Sequence, residues 1–261
     1  MNFPKRSKHD YLAIEKNGSV YELNEDWSLT GNGSISFRNK LEERAFSHGS
    51  DLIGDGKVSG RQIDVEFHSR FDTEEEFEQA VNEAYRVFGQ TNYNLYTNRR
   101  NRVMHVAGIK SLTMDYDDGY KGRSGTITAS LLLSDPFRYD TNETAIETTF
   151  SQLAQNEEIL VNNMGSVDTP LTFTFIPDGT MANINVTHEE SGNQMTIADA
   201  LLTSPAILTV NSKDGTVWRD TNNSINSFSG QFLYAVPGIN HFRVSCDSGI
   251  VTVTFTNRWY L

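Results

Sequence analysis

Residues 61–88 read RQIDVEFHSRFDTEEEFEQAVNEAYRVF, and the spacing of their apolar side chains changes half-way. In the first ten residues Ile63, Val65 and Phe67 share one face, and Gln62, Asp64, Glu66 and His68 share the other. A period of two predicts a half-buried β-strand. Further on, Phe77, Ala80, Val81, Ala84, Tyr85 and Phe88 make one stripe with a period near 3.6, which predicts an amphipathic helix over 72–88. Asp72 or Thr73 can cap it, with Glu75 or Glu76 three residues on, the capping-box spacing. Glu74, Glu75, Glu76 and Glu78 crowd the first turns, where the helix dipole favours anions. Gly89 is placed to end the helix. Capping accounts for the glutamates, so they need no catalytic role. One helix following a strand predicts a β-domain with a single covering helix.

Strand signals extend to both sides. Tyr11-Leu-Ala-Ile and Val20-Tyr-Glu-Leu flank Lys16-Asn-Gly-Ser, a hairpin signal. Ser34-Ile-Ser-Phe-Arg predicts a further strand. Residues 40–60, KLEERAFSHGSDLIGDGKVSG, hold several glycines and mixed charges without periodicity, and are expected to form a long exposed loop. After the helix, Tyr93–Tyr96 and Val103–Ile109 flank a turn, and Leu112–Tyr116 and Gly125–Leu133 flank Asp117–Arg123. Both pairs read as hairpins. The first domain, 1–138, is therefore expected as a β-sandwich or barrel-like domain with one covering helix. The polar stretch 139–158 reads as a linker. Short strand-like runs then follow from Ile159 to Thr256, with Asp214-Gly215 marking a turn between two of them. Many short strands with turn signals predict a β-sandwich or jelly roll over 159–261.

Composition supports the division. The 261 residues are enough for two compact domains. The formal charge is 22 − 34 = −12. Residues 1–138 hold 18 basic and 21 acidic side chains, net −3, and residues 139–261 hold 4 and 13, net −9. An acidic surface disfavours sequence-independent binding to nucleic acid or to an anionic membrane. The single cysteine, Cys246, excludes an intrachain disulfide and fits a reducing compartment. The basic N-terminal residues have no apolar segment behind them, so no signal peptide is expected, and no apolar run approaches a membrane span.

A search for chemistry names no catalytic, cofactor or metal residue. The histidines at 9, 48, 68, 105, 188 and 241 are scattered, and none pair at the spacing of a zinc helix. Gly122-Arg-Ser-Gly lacks the last step of a nucleophile elbow. Gly56-Lys57 lacks the rest of a P-loop, and Ser50–Lys57 lacks the alternating ligands of an EF-hand. A cell-wall hydrolase would need only two carboxylates across a cleft, and nothing singles out a pair. Arg99, Arg100 and Arg102 form a small basic turn, better suited to a protein contact than to phosphates in so acidic a chain. Aromatic residues gather in the second half. Trp218, Trp259 and Tyr260 are the candidates for a glycan-stacking platform, although core packing is the commoner use of such rings.

Taken in order, these features resemble the distal tail protein family of siphophages. The likeness rests on the early hairpin, the Gly-rich charged stretch, the Arg61-Gln-Ile63 strand and the acidic-capped helix. It continues in the strand pair, in the close from Leu131 through Asp135-Pro-Phe-Arg-Tyr139, and in Pro237-Gly-Ile-Asn240 with Val251–Tyr260. Asp135-Pro136-Phe137 is the most specific of these. The resemblance implies a virion protein of the tail tip, or baseplate, made in the host bacterial cytoplasm. It implies a ring, commonly a hexamer, with the tail tube protein on one side and the tail-tip hub protein on the other. It also implies an outward C-terminal domain, galectin-like or carbohydrate-module-like, able to meet a receptor-binding protein or host saccharide. No cofactor, nucleic acid or membrane insertion is implied. For ring contacts the expected residues are Arg44, His48, Asp51, Asp55 and Lys57 in the 40–60 stretch, with Arg99, Arg100 and Arg102. The alternative is a carbohydrate-binding module acting through the C-terminal sandwich.

Overall fold

The structure, a computed structural model, describes residues 12–23, 27–30, 35–97, 102–120, 122–151 and 156–260. The chain folds into two compact units, 1–139 with 260–261, and 140–259.

The first unit opens with β1 (Leu12–Lys16), β2 (Ser19–Glu22), β3 (Trp27–Thr30), β4 (Phe37–Glu43), β5 (Ser50–Val58) and β6 (Arg61–Arg70). It continues through α1 (Glu74–Phe88), β7 (Tyr93–Thr97), β8 (Arg102–Val106), β9 (Gly108–Tyr116), β10 (Ser124–Leu133) and β11 (Arg138–Asp140). Strands β2-β1-β7-β8-β11 lie side by side in one sheet and β3-β6-β10-β9 in another, while β4 and β5 pair only with each other. The core draws Ile14 and Leu95 from the first sheet, Ile63 and Ile127 from the second, and Phe77 and Phe88 from the helix. Ile63, Val65 and Phe67 are buried as the alternation requires. Asn17 and Gly18 turn the first hairpin with φ of 51° and 79°, the left-handed pair that a two-residue turn demands.

Thr73 is the N-cap of α1. Its hydroxyl accepts the Glu76 N–H at 3.2 Å, and the Glu76 carboxylate accepts the Thr73 N–H at 3.2 Å, closing the capping box. The buried stripe departs from the expected one, with Ala80 only half-buried. Tyr85 is 52 % exposed and Val87 is buried in its place. Tyr85 lies one step off the line through Phe77, Val81, Ala84 and Phe88, and a phenol tolerates solvent at its polar end. Gly89 does end the helix, donating its N–H to Tyr85 O at 2.9 Å, but with an ordinary φ of −68°.

The second unit holds β12 (Thr144–Phe150), β13 (Asn156–Asn163), β14 (Thr169–Pro170), β15 (Thr172–Pro177), β16 (Asn183–His188), β17 (Gln194–Ala198) and β18 (Leu208–Asn211). It closes with β19 (Thr216–Arg219), β20 (Asn222–Asn223), β21 (Phe228–Gly230), β22 (Tyr234–Ala235), β23 (Gly238–Ser245), β24 (Gly249–Phe255) and β25 (Arg258–Trp259). One sheet runs β12-β24-β15-β18-β19-β20 and the other β13-β23-β16-β17-β21. The first four strands of each are the two sheets of a jelly roll, and the chain passes from one to the other between β12 and β13, β13 and β15, β15 and β16, β17 and β18, β20 and β21, and β23 and β24. Side chains from both inner faces, among them Phe173, Phe175, Phe242, Val244, Val251 and Val253, make one core.

The stretch 139–158 is not a linker. Residues 144–150 form β12, paired along its whole length with β24, and Phe150 is 1 % exposed. As an outermost strand it needs few apolar residues, and Ile146 and Phe150 supply them amid threonines. Its entry is tied to the exit of the unit. The Asp140 N–H donates to Asn257 O at 3.1 Å. The Asp140 carboxylate accepts from Asn257 Nδ2 at 2.9 Å and Trp259 Nε1 at 2.8 Å.

Candidate assembly surfaces

Residues 37–58, expected mostly as an irregular loop, form a two-stranded arm of β4 and β5. Thr-poor and Gly-rich, this stretch lacks the alternation that marks a strand with one buried face. The reason is that neither face is buried: every residue of the two strands is exposed except the half-buried Val58. Gly54 fixes the register. It sits opposite Asn39 with φ of 149°, and a Cβ there would lie 2.2 Å from Arg38 O, so only glycine lets the strands close. The Arg44 N–H donates to Gly49 O at 3.2 Å to shape the tip. Charged pairs run along the arm: Arg38 with Asp55 at 2.5 Å, Lys40 with Glu42 at 3.3 Å, and Arg44 with Asp51 at 2.7 Å. The Lys57 backbone N–H, helped by Arg38, holds the Asp55 carboxyl below its ordinary value.

Between these charges lie apolar groups with nothing to cover them in the chain itself. Leu41 and Leu52 face each other directly across the strands, 71 % and 69 % exposed. Phe46 at the tip is wholly exposed. A two-stranded hairpin in water is marginal at best, and exposed apolar groups on it mark a contact surface.

The residues singled out from the sequence fall unevenly. Arg44, His48, Asp51, Asp55 and Lys57 all lie on the arm, but Arg44, Asp51 and Asp55 pair within it. Charge drew the sequence reading to them, whereas Leu41, Phe46 and Leu52 were hidden because exposed leucines leave no periodic trace. Arg99 and Arg100 lie outside the described residues. Arg102 is not a residue of an exposed turn: it opens β8 and is 4 % exposed. Trp218 stands on β19 and is 40 % exposed. Trp259 is half-buried, with its indole on Asp140, and Tyr260 meets Phe37 and Phe137 at ring distances of 6.3 and 5.7 Å. His188 is a core residue, 1 % exposed and stacked on Phe242 at 4.6 Å. Burial raises the Cys246 thiol to about 12, which keeps it protonated and unreactive. Among the described residues no three His, Cys, Asp or Glu side chains converge as a metal site would require.

In the second unit, buried asparagines brace the loops at one end of the jelly roll. Asn240, the last residue of Pro237-Gly-Ile-Asn, is fully buried. Its Oδ1 accepts the Val236 N–H at 2.8 Å, and its Nδ2 donates to Val236 O and Gly238 O, both at 2.8 Å. Asn163 donates to Ala235 O at 2.8 Å and accepts the Gly165 N–H at 2.9 Å. Asn257 accepts the Met164 N–H at 3.1 Å. These side chains stand in for strand ladders where the backbone turns, so buried N–H and C=O groups stay paired.

This braced segment is also where the sequence matches a known family. Residues 164–259 fit the family described as siphovirus-type tail component, C-terminal domain. The match lies within the second unit, residues 140–259. A likeness in fold extends through both units. The crystal structure of the SPP1 Dit (gp 19.1) protein, described as a paradigm of the hub adsorption apparatus in phages infecting Gram-positive bacteria, superposes with a TM-score of 0.71. That match has 13 % identity and covers 95 % of this chain and 98 % of the other. A chain of the phage P2 baseplate in its activated conformation with Ca matches at a TM-score of 0.45 and 10 % identity, covering 96 % and 98 %. No curated protein matches.

Proposed function

We propose that this chain is a distal tail protein that builds a closed ring at the tail tip, a hexamer, joining the tail tube protein to the hub protein, with no catalytic activity of its own. The observation that carries this reading is the arm: Leu41, Leu52 and Phe46 are exposed on a hairpin that has no core. A closed ring needs two different complementary surfaces on each subunit. The arm supplies one. A cleft of about 230 Å³ beside α1, walled by Leu23, Trp27, Phe67, Phe71 and Val87, offers the other. Ring, tube and hub contacts leave the jelly-roll unit to meet a receptor-binding protein. The chain acts within the virion after synthesis in the bacterial host, and neither nucleic acid nor membrane insertion enters its role.

Light scattering on purified protein tests this. The native chain is expected to run as a ring of several subunits, and the double variant Leu41→Asp, Leu52→Asp as a single subunit with unchanged circular dichroism. A ring that survives both substitutions, or a native chain that stays monomeric at high concentration, refutes the arm as the ring contact.

A further inference from the structure

The edges of the jelly-roll sheets are not alike. β20 and β21 are two and three residues long, too short to recruit another strand. β12 is longer but exposes no large apolar side chain. β13 is eight residues long and, among the described residues, pairs with β23 alone. Edge strands are commonly blunted by Pro, Lys or a bulge. β13 contains no Pro or Lys, its register with β23 is unbroken, and its charges, Glu157 and Glu158, lie towards one end. Ile159, Val161 and Asn163 point inward and are buried, so Leu160 and Asn162 face out. Across the pair Leu160 faces His241 and Asn162 faces Ile239, which makes Leu160 and Ile239 diagonal neighbours on the outer face. Leu160, Ile239 and Met164, the residue that follows β13, are each more than half exposed. Beside this apolar ledge stand Glu158, opposite Arg243, and Glu189 and Glu190 from the turn after β16. The basic side chains among them already serve carboxylates: Arg243 Nε donates to Glu189 at 2.8 Å, and His241 Nδ1 lies 2.5 Å from Glu190.

We propose that β13 is a strand-addition site for another protein, whose docking segment is extended, apolar at alternate positions and basic at its ends. An open sheet edge offers backbone N–H and C=O groups to any extended chain, and the side chains beside it select the sequence. A residue of the added strand lies beside Leu160, about 4.8 Å away across the sheet, and a long apolar side chain reaches over it towards Ile239. Glu158, Glu189 and Glu190 favour Lys or Arg on the incoming segment. A second copy of this unit is disfavoured, because residues 139–261 hold 13 acidic and 4 basic side chains and would meet like charge. A saccharide is disfavoured because the ledge holds no aromatic ring to stack on. The inference gives the partner contact of the jelly-roll unit a place and a chemistry, and it stands whether or not the subunits form a ring.

Fluorescence anisotropy on the full chain tests this with three dye-labelled peptides. The first alternates valine and threonine between terminal lysines. The second has glutamates at the ends instead. The third is the lysine peptide N-methylated at every valine and threonine, which keeps the side chains and removes the backbone donors. The lysine peptide is expected to saturate the chain below about 1 mM, the glutamate peptide to bind about tenfold more weakly, and the N-methylated peptide not to bind. Leu160→Lys should weaken binding of the lysine peptide about tenfold, and Glu158→Lys should narrow the gap between the two charged peptides, with melting temperatures unchanged because both side chains are exposed. The proposal is overturned if the lysine peptide does not bind, if N-methylation leaves its binding intact, if Leu160→Lys has no effect, or if the glutamate peptide binds better. Self-association that Leu160→Lys abolishes, without peptide binding, assigns the edge to a second copy and also overturns it. Light scattering on the same samples separates this from ring formation: a single subunit that binds the lysine peptide upholds the edge and refutes the ring, and a ring that binds no peptide does the reverse.

Discussion

Two antiparallel hairpins of the first unit invite comparison. In β9–β10, Ile127, Ala129, Leu131 and Leu133 alternate with half-exposed or exposed partners and are buried in the core shared with α1 and the opposite sheet. In β4–β5 the ladder is equally continuous near the tip, yet Leu41 and Leu52 lie in solvent. Both hairpins satisfy the backbone. What separates them is whether a face is covered within the subunit. Backbone pairing specifies that a hairpin forms, and side-chain burial decides whether it contributes to the stability of its own chain or to an assembly.

The largest expected effect tests the covered side of that contrast. Phe77→Ala, at a helix residue packed against the β9–β10 hairpin and 0 % exposed, should cost about 3–5 kcal/mol in urea unfolding. A loss below about 1 kcal/mol would mean that this core does not hold the hairpin. In the jelly roll, Asn240→Ala should cost about 1–3 kcal/mol, because it removes the partner of the Val236 N–H and of the buried His188 Nε2. On the uncovered side, Leu41→Ala should change the unfolding energy of a dissociated subunit by less than about 0.5 kcal/mol while weakening self-association. An equal loss in the dissociated subunit would erase the distinction between the hairpins.

The smallest effect is electrostatic and lies on the charged outer face of the jelly roll. Partial desolvation opposes the charge on Glu190, but hydrogen bonds from the His241 ring and backbone N–H outweigh it and hold the carboxyl at about 2. The Glu190 hydrogen bond raises the His241 imidazole above 6.5, with Glu158 and Glu189 adding to it. A lowered carboxyl stabilises above its ordinary value of 4.5 and loses that contribution as pH falls through about 2. A raised imidazole contributes fully below 6.5 and loses its share as pH rises through its shifted value. Melting temperatures should therefore show a shallow, salt-sensitive maximum between the two limits, and Glu190→Gln should flatten it.

What the sequence disclosed followed from burial on one face. The period-two run at Ile63–Phe67 and the stripe from Phe77 to Phe88 announce the first core, because each element has one wet side and one dry side. Short strands with turn residues likewise announce the second unit. The arm was misread for the converse reason: a ladder with two wet faces has no alternation to show. β12 was missed because an outermost strand rich in threonine resembles a polar connector.

The clamp at Asp140 has a bearing on how such proteins diversify. Because one carboxylate holds both Asn257 and Trp259, the chain enters and leaves the jelly roll at a single point. A module with adjoining ends can be exchanged as a cassette or enlarged by insertion without stretching its host. Residues 140–259 can therefore be exchanged as one block while residues 12–139 keep their own core.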